Sequence, residues 1–189
     1  MEITLIRHGR SLWIENMPMT CIEFKKWVEN YDCNGVFEEK SYPSVTLEKI
    51  GAANIVISSD LKRTVESAKY LRPDIPVISD PLFRETTLPI PLIKLGGIKL
   101  KASIWAVIFR SLWFCGYSRG CESLKEAGMR AEKAADFLIK SAKEHNNAVL
   151  VGHGFFNMLV GKELKKRGWN GKKKTNFKHW NSITYSIFN

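Results

Sequence analysis

Two histidines in the chain each follow a short strand-like run and stand next to glycine. Arg7-His8-Gly9 comes after residues 2–6, and Gly152-His153-Gly154 comes after the apolar run 149–151. Apolar runs of this length predict buried strands, and open α/β sheets bind ligands at the carboxyl ends of their strands. Arginine keeps its charge and can hold an anion through two donors, so His8 stands beside an anion-binding group. These residues predict a phosphate-binding site with a histidine nucleophile.

The elements needed to position these residues alternate between strands and helices. The predicted strands cover residues 2–6, 55–57, 76–78, 147–151 and 183–187. The predicted helices cover residues 20–31, a short stretch after 46, 60–71, 123–144 and a stretch after 154. This alternation predicts an α/β fold, a three-layer sandwich whose mainly parallel central sheet has helices on both faces. We expect a single domain over residues 1–189, with a variable apolar cap segment at about 86–121.

Two of the predicted helices begin with capping residues. Thr20 has Glu23 three residues after it, which is the spacing of a capping box. Asp60 is predicted to be the N-cap of the helix that runs to Leu71. That helix would carry Arg63 in its first turn, where backbone N–H groups also attract anions.

Composition indicates an ordinary globular protein with a strongly basic charge. The 189 residues are 44% hydrophobic and 25% charged, and the formal net charge is +10. This balance excludes wholesale disorder and favours anionic partners. The four cysteines are widely spaced with no C-x-x-C pair, so we expect reduced thiols in a cytoplasmic protein and no metal site. The N-terminus lacks the pattern of a signal peptide, and no apolar run reaches the roughly 20 residues that span a bilayer.

Four segments of the chain resemble the signature blocks of the histidine phosphatase superfamily, which includes the phosphoglycerate mutases and broad-specificity phosphatases. They stand in the family's order and are Arg7-His8-Gly9, Ser58-Ser59-Asp60-Leu61-Lys62-Arg63-Thr64, Phe83-Arg84-Glu85 and Gly152-His153-Gly154. The resemblance covers residues 2–160 and implies a phosphoglycerate mutase-like fold.

The resemblance also implies the roles of individual residues. His8 would attack phosphorus and form a phosphohistidine that water then hydrolyses. Arg7, Arg63 and His153 would bind the phosphate, where positioned positive charge is the main need of phosphoryl transfer. Glu85 would donate a proton to the leaving alkoxide. The alternatives for that acid are Asp60 and Glu122.

The first block departs from the family's pattern in the residues after the histidine. Arg10 stands where many relatives have glutamate, and Ile14 stands where many have asparagine; Asn16 would replace that asparagine if the loop is shifted. Ser11 matches a small hydroxyl residue common at its position. We therefore list Ser11 and Arg10 as substrate-binding candidates, with the alternative that Arg10 points outward. These departures leave the substrate open.

The function predicted from these residues is a metal-independent phosphomonoester hydrolase with no cofactor. One alternative is phosphoryl transfer of the phosphoglycerate mutase type, although family mutases usually carry a longer insertion between the acid and the second histidine. The other alternative is a non-catalytic binder of phosphate or nucleic acid. The predicted partner is a small phosphate ester.

Two further segments allow several interpretations. The apolar segment 98–117 is expected to be a helix buried on more than one side as a cap on the core. A dimer contact and a membrane-surface contact, helped by Lys94, Lys99, Lys101 and Arg110, are its alternatives. If the tryptophans of this cap line the pocket, they favour an ester with an apolar group.

The basic segment 162–179 is interpreted as a solvated helix end, with the binding of single-stranded nucleic acid as the alternative.

Overall fold

Six strands form one sheet in the order β3-β2-β4-β1-β6-β5. The computed structural model describes residues 1–91, 97–171 and 177–187. The strands are β1 (Glu2–Arg7), β2 (Ile55–Ser58), β3 (Val77–Ser79), β4 (Asn147–Gly152), β5 (Asn170–Gly171) and β6 (Ser182–Ser186). The helices are α1 (Cys21–Cys33), α2 (Ser44–Gly51), α3 (Lys62–Leu71), α4 (Ala102–Phe114), α5 (Leu124–His145) and α6 (Gly154–Lys166), and a one-turn 3-10 helix covers Pro81–Phe83.

The sheet is mainly parallel, as predicted, and its register brings the two histidine motifs together. β1 pairs in parallel with β4 so that Arg7 lies opposite Gly152. β2 is parallel to both β4 and β3, whereas β6 is antiparallel to β1. Because paired parallel strands end at the same edge, His8 and His153 leave the sheet side by side. The backbone N–H of His8 donates to the carbonyl of Gly152 at 3.0 Å.

Each face of the sheet is covered by helices, because alternate strand residues point to opposite faces. Leu5 and Leu150 pack in one cluster with the alanines of α5, which allow that helix to approach closely. Ile6 and Val151 pack in a second cluster with Ile50 of α2 and residues of α3. The predicted three-layer α/β architecture is confirmed.

The start of α1 is confirmed and the start of α3 is not as predicted. Thr20 and Glu23 form both hydrogen bonds of a capping box. The prediction that Asp60 caps α3 is wrong, since Leu61 occupies the N-cap position. The Asp60 carboxylate instead accepts two hydrogen bonds from Arg84, at 2.6 and 2.5 Å. A bidentate pair of opposite charges outweighs a single backbone cap.

Helix α4 is buried on one side only. Trp105, Phe109 and Trp113 are almost fully buried, which confirms a cap packed on the core. The expectation of burial on more than one side is wrong, because Ile104 and Val107 on the opposite side are exposed. A wholly apolar sequence cannot indicate which side of a helix meets solvent. Lys94 lies outside the described residues.

The basic segment 162–179 is described only in part. Trp169 and Trp180 are buried in the core, so their rings are not available to stack on bases. Arg167 pairs with Glu163 and Asp136. Lys172, Lys173 and Lys174 lie outside the described residues. Among the helices that the structure describes, none is long and apolar enough to cross a membrane.

Candidate active site

A cavity of about 1210 Å³ opens at the carboxyl ends of β1, β2 and β4. All five residues predicted to be catalytic line it: Arg7, His8, Arg63, Glu85 and His153. Arg7 ends β1, Arg63 lies in the first turn of α3, and His153 stands between β4 and α6. The structure therefore brings together residues that come from four separate parts of the sequence.

His8 is held in the form that a nucleophile requires. Its Nδ1 lies 2.7 Å from the carbonyl oxygen of Gly9, which can only accept a hydrogen bond. Nδ1 therefore carries the proton, and the lone pair of the neutral ring is on Nε2. Burial, followed by the charges of Arg63 and Arg7, lowers the pKa of His8 well below its ordinary value. The ring is consequently neutral near pH 7.

Contacts with α3 and with the segment before β6 hold the loop that carries His8 in place. The hydroxyl of Ser67 accepts a hydrogen bond from the N–H of Gly9 at 2.9 Å. A Cβ on Gly9 would lie 2.0 Å from the ring of Trp180, so only glycine fits there. His179 donates from Nδ1 to the carbonyl oxygen of His8 at 3.0 Å. The sequence analysis missed His179, which has no motif around it to draw attention.

Four nitrogens of cavity-lining residues are buried without a hydrogen-bond partner. They are Arg7 Nε, Arg63 Nε, Arg110 Nε and His153 Nδ1. A buried polar group without a partner costs about 1–3 kcal/mol, so such groups rarely cluster without a ligand to satisfy them. The arginines among them are permanent cations. Arg7 and Arg63 line the same cavity as His8, and guanidinium groups are suited to bind anions.

Two residues of helix α1 contact the guanidinium group of Arg63 and orient it. Its Nη1 donates to the carboxylate of Asp32 at 2.7 Å, and its guanidinium lies 4.8 Å from the centre of the Tyr31 ring. The carboxylate of Glu66, which follows Arg63 in α3, accepts a hydrogen bond from the N–H of Val36 at 2.9 Å. The sequence analysis missed Asp32, whose contact with Arg63 has no local sequence signal.

His153 is oriented by a hydroxyl that follows β2. Ser59 Oγ lies 2.8 Å from His153 Nε2 and 2.7 Å from Thr64 Oγ1. The ring centre of His153 is 5.2 Å from that of His8. Burial, followed by the charges of Arg63 and His8, lowers the pKa of His153 well below its ordinary value. A bound phosphate dianion would offset those positive charges and favour the protonated ring.

Glu85 is tied to the start of α6, next to His153. Its carboxylate accepts hydrogen bonds from the N–H groups of Phe155 at 3.0 Å and Phe156 at 2.9 Å. It also accepts from the N–H of Thr86 at 2.8 Å. These contacts hold the carboxylate on the cavity wall.

The other candidates from the sequence lie outside the cavity. Arg10 is exposed, stacks on Phe37 and lies 3.7 Å from Glu39, because the chain turns away after Gly9. Ser11 is buried with its hydroxyl accepting from the N–H of Trp13. The structure therefore does not bring Arg10 or Ser11 to the wall of the cavity that His8 lines. Of the alternative acids, Asp60 is bound to Arg84 as described above, and Glu122 is bound to Arg130 at 2.5 Å.

The outer part of the cavity combines an apolar wall with further cations. The apolar residues come from α1, the loop after Glu85 and α4, and are Phe24, Trp27, Val28, Leu88, Ile90, Pro91 and Ala106. The cations are Lys25, Arg84, Arg110 and Arg119. Arg110 of α4 is buried and donates to the hydroxyl of Thr86 at 2.7 Å. Trp105 and Trp113 face the core and do not line the cavity. The condition that tryptophans of the cap line the pocket is therefore not met, and Trp27 of α1 lines it instead.

The neutral buried histidines predict that stability falls with pH below about 7. In the unfolded chain His8 and His153 take up protons near pH 6.5, whereas in the folded chain they do so only at lower pH. The unfolded state therefore gains protons first as pH falls, and the free energy of unfolding should drop by up to about 1.4 kcal/mol per pH unit for each histidine. Urea unfolding between pH 7 and pH 5 measures this slope.

His153→Asn removes one of these groups, so its slope should be shallower than that of the wild type. Saturating inorganic phosphate should also flatten the wild-type slope, because it favours protonated His153. The matched control is His145→Ala, which changes an exposed histidine. A slope in His153→Asn equal to that of the wild type would contradict the assignment.

Comparisons with known proteins agree with this geometry. The family model "Histidine phosphatase superfamily (branch 1)" matches residues 44–187. No curated protein sequence matches the chain. Similar solved structures include a mycobacterial glucosyl-3-phosphoglycerate phosphatase (19% identity, TM-score 0.56, 87% of this chain and 79% of that one). A putative α-ribazole-5'-P phosphatase from Escherichia coli shares 15% identity (TM-score 0.56, 87% and 79% coverage).

A mutant phosphoserine phosphatase from Entamoeba histolytica, solved with phosphoserine, shares 17% identity with a TM-score of 0.55, over 97% of this chain and 89% of that one. These structures show the phosphoglycerate mutase-like fold. The family match begins after the first block and includes the other three. Because it covers most of the chain, the protein belongs to the histidine phosphatase superfamily.

Proposed function

We propose that the protein is a phosphomonoester hydrolase that needs no metal ion and acts through a phosphohistidine on His8. One observation carries the proposal: His8, whose ring has its lone pair on Nε2, lines one cavity together with Arg7, Arg63 and His153. The guanidinium groups of Arg7 and Arg63 are permanent cations and supply the charge stabilisation that phosphoryl transfer requires. In the part of the chain that the structure describes, no group of three metal-binding side chains is found.

In the first step, His8 Nε2 attacks the phosphorus of the bound ester. The new N–P bond forms as the ester P–O bond breaks, and the electron pair of that bond goes to the leaving oxygen. Arg7, Arg63 and His153 stabilise the negative charge on the three equatorial oxygens. Glu85 in its protonated form gives its proton to the leaving oxygen, so that an alcohol departs.

In the second step, water takes the position that the alcohol has left. Glu85, now a carboxylate, accepts a proton as the water oxygen attacks phosphorus. The N–P bond breaks, its electron pair returns to His8, and inorganic phosphate is released. Splitting one displacement into two in this way is the general advantage of a covalent intermediate.

The outer wall of the cavity favours an ester with an apolar group on the alcohol. Phe24, Trp27 and Ile90 line this part of the cavity, where an apolar group gains about 25 cal/mol for each Å² removed from water. The similar solved structures belong to phosphatases whose names indicate polar substrates, such as phosphoserine. The apolar lining here supports a different preference.

Hydrolysis of an aryl phosphate in the presence of a chelator tests the proposal. Turnover between pH 5 and pH 8 should be unchanged by the chelator, and aryl or alkyl phosphates should be better substrates than small sugar phosphates. Activity that disappears with the chelator and returns with a divalent ion would contradict the metal-independent reaction. Phosphoryl exchange between sugar-acid phosphates without hydrolysis would indicate a mutase.

A further inference from the structure

Helix α4 presents an apolar face to solvent. The α4 outer face consists of Ile104, Val107, Ile108, Leu112 and Phe114, which helical spacing places on one side of the helix. Val107 is 66% exposed and Ile104 is 44% exposed. The opposite side of the helix packs in the core, and the five residues of the outer face are all at least partly exposed to solvent. A contiguous exposed apolar patch of this kind indicates an interaction surface.

The charged residues of the sequence segment that contains α4 all have the same sign. Between Glu85 and Glu122 the sequence contains no acidic residue. Lys99 and Lys101 precede the helix, Arg119 follows it, and all three are exposed. Ile98, which precedes these lysines in the sequence, is 55% exposed. An apolar helix face framed by cations is the arrangement found in helices that lie on anionic bilayers.

The α4 outer face lies next to the opening of the cavity. The same helix lines the cavity with Ala106 and Arg110. Phe114 on the outer face has its ring centre 6.1 Å from that of Phe155, which also lines the cavity. A surface that binds this face would therefore be close to the apolar wall.

We propose that the α4 outer face docks the protein on anionic lipid surfaces, which would place the cavity beside phosphate esters that carry a lipid-like group. The docking does not depend on the proposed hydrolysis. Only the inference about the substrate rests on the proposed function. A second copy of the chain fits the face less well. A symmetric dimer would bring the lysines of both copies together at one interface, and like charges there are repulsive.

Flotation with lipid vesicles tests the docking surface. The wild type should float with phosphatidylcholine vesicles that contain phosphatidylglycerol and not with phosphatidylcholine alone, and added salt should weaken the binding. Each lysine near an anionic surface contributes about five-fold in affinity, so Lys99→Gln with Lys101→Gln should weaken binding by about 25-fold. Ile104→Gln with Val107→Gln removes apolar area and should weaken it by about ten-fold or more.

A matched pair on another helix controls for general effects of these changes. Val45 and Leu47 of α2 are 59% and 40% exposed, and Val45→Gln with Leu47→Gln should leave vesicle binding unchanged. Turnover of a soluble aryl phosphate should be the same in all variants, which also shows that they fold. Because flotation and turnover are separate readouts, an inactive wild type that floats would count against the phosphatase proposal alone.

Several results would overturn the docking proposal. One is a wild type that binds neither kind of vesicle, and another is equal loss of binding in the α2 control. A third comes from sedimentation: a wild-type dimer that Ile104→Gln with Val107→Gln converts to a monomer, without any vesicle binding, would identify the face as a dimer interface.

Discussion

His8→Ala is expected to lower phosphatase turnover by roughly 10⁴- to 10⁶-fold, the range seen when a catalytic nucleophile is removed. The His8 ring has its lone pair on Nε2, and Arg7 and Arg63 line the same cavity. Without it, water would have to attack the ester directly, aided only by the remaining charges. Initial rates with an aryl phosphate, measured in chelator, give the size of the loss.

The same variant should still bind inorganic phosphate. Arg7, Arg63 and His153 remain in place, so phosphate should raise the midpoint of thermal unfolding in His8→Ala as in the wild type. His145→Ala, a change at an exposed histidine, should have full activity. Activity in His8→Ala within ten-fold of the wild type would exclude His8 as the nucleophile.

Glu85→Gln is expected to have an effect that depends on the leaving group. An alkoxide needs a proton as it departs, so hydrolysis of an alkyl phosphate should fall by about 10²- to 10⁴-fold. A nitrophenolate leaves readily without a proton, so hydrolysis of p-nitrophenyl phosphate should fall by less than about ten-fold. Comparing kcat for the two esters in wild type and variant measures the difference.

This comparison separates two roles of the Glu85 carboxylate. It caps the start of α6 through the N–H groups of Phe155 and Phe156, and a cap alone would affect both esters equally. The alternative acids Asp60 and Glu122 are bound to arginines, so Asp60→Asn and Glu122→Gln should not change the ratio of the two rates. If either variant lost activity on the alkyl ester alone, that residue and not Glu85 would be the proton donor.

Much of the fold and of the site can be predicted from sequence because both depend on short-range patterns. The apolar runs predicted β1, β2 and β4, and the residues just after them are the ones that meet at the cavity. Parallel pairing makes this outcome necessary, since strands that run side by side must end at one edge. The identification of Arg7, His8, Arg63, Glu85 and His153 as neighbours follows from that rule and from the family resemblance.

What the sequence did not predict depends on contacts between distant residues. Asp32 aims Arg63 from α1, and His179 contacts the carbonyl of His8 from near the other end of the chain. No spacing rule connects such pairs. Asp60 has the sequence position of a helix cap, but the guanidinium of Arg84 is a stronger partner for its carboxylate.

The sequence did not predict the exposed side of α4, and it left the position of Arg10 open, for a related reason. An apolar pattern predicts that a helix is buried, yet α4 is apolar on every side and only packing against the core decides which side is covered. Arg10 follows the nucleophile directly in sequence, but the chain turns outward after Gly9 and its guanidinium stacks on Phe37. Two residues that are neighbours in the sequence of a loop can therefore have side chains that point to different parts of the protein.

The central claim is that the phosphoryl group passes through His8, and trapping that intermediate tests it most directly. The enzyme would be mixed with a ³²P-labelled phosphate ester in chelator, quenched in alkali within one turnover, and digested. The account predicts an acid-labile, alkali-stable label on the peptide that contains His8, formed faster than steady-state turnover and missing in His8→Ala. Turnover without any labelled protein, or a label on another residue, would contradict it.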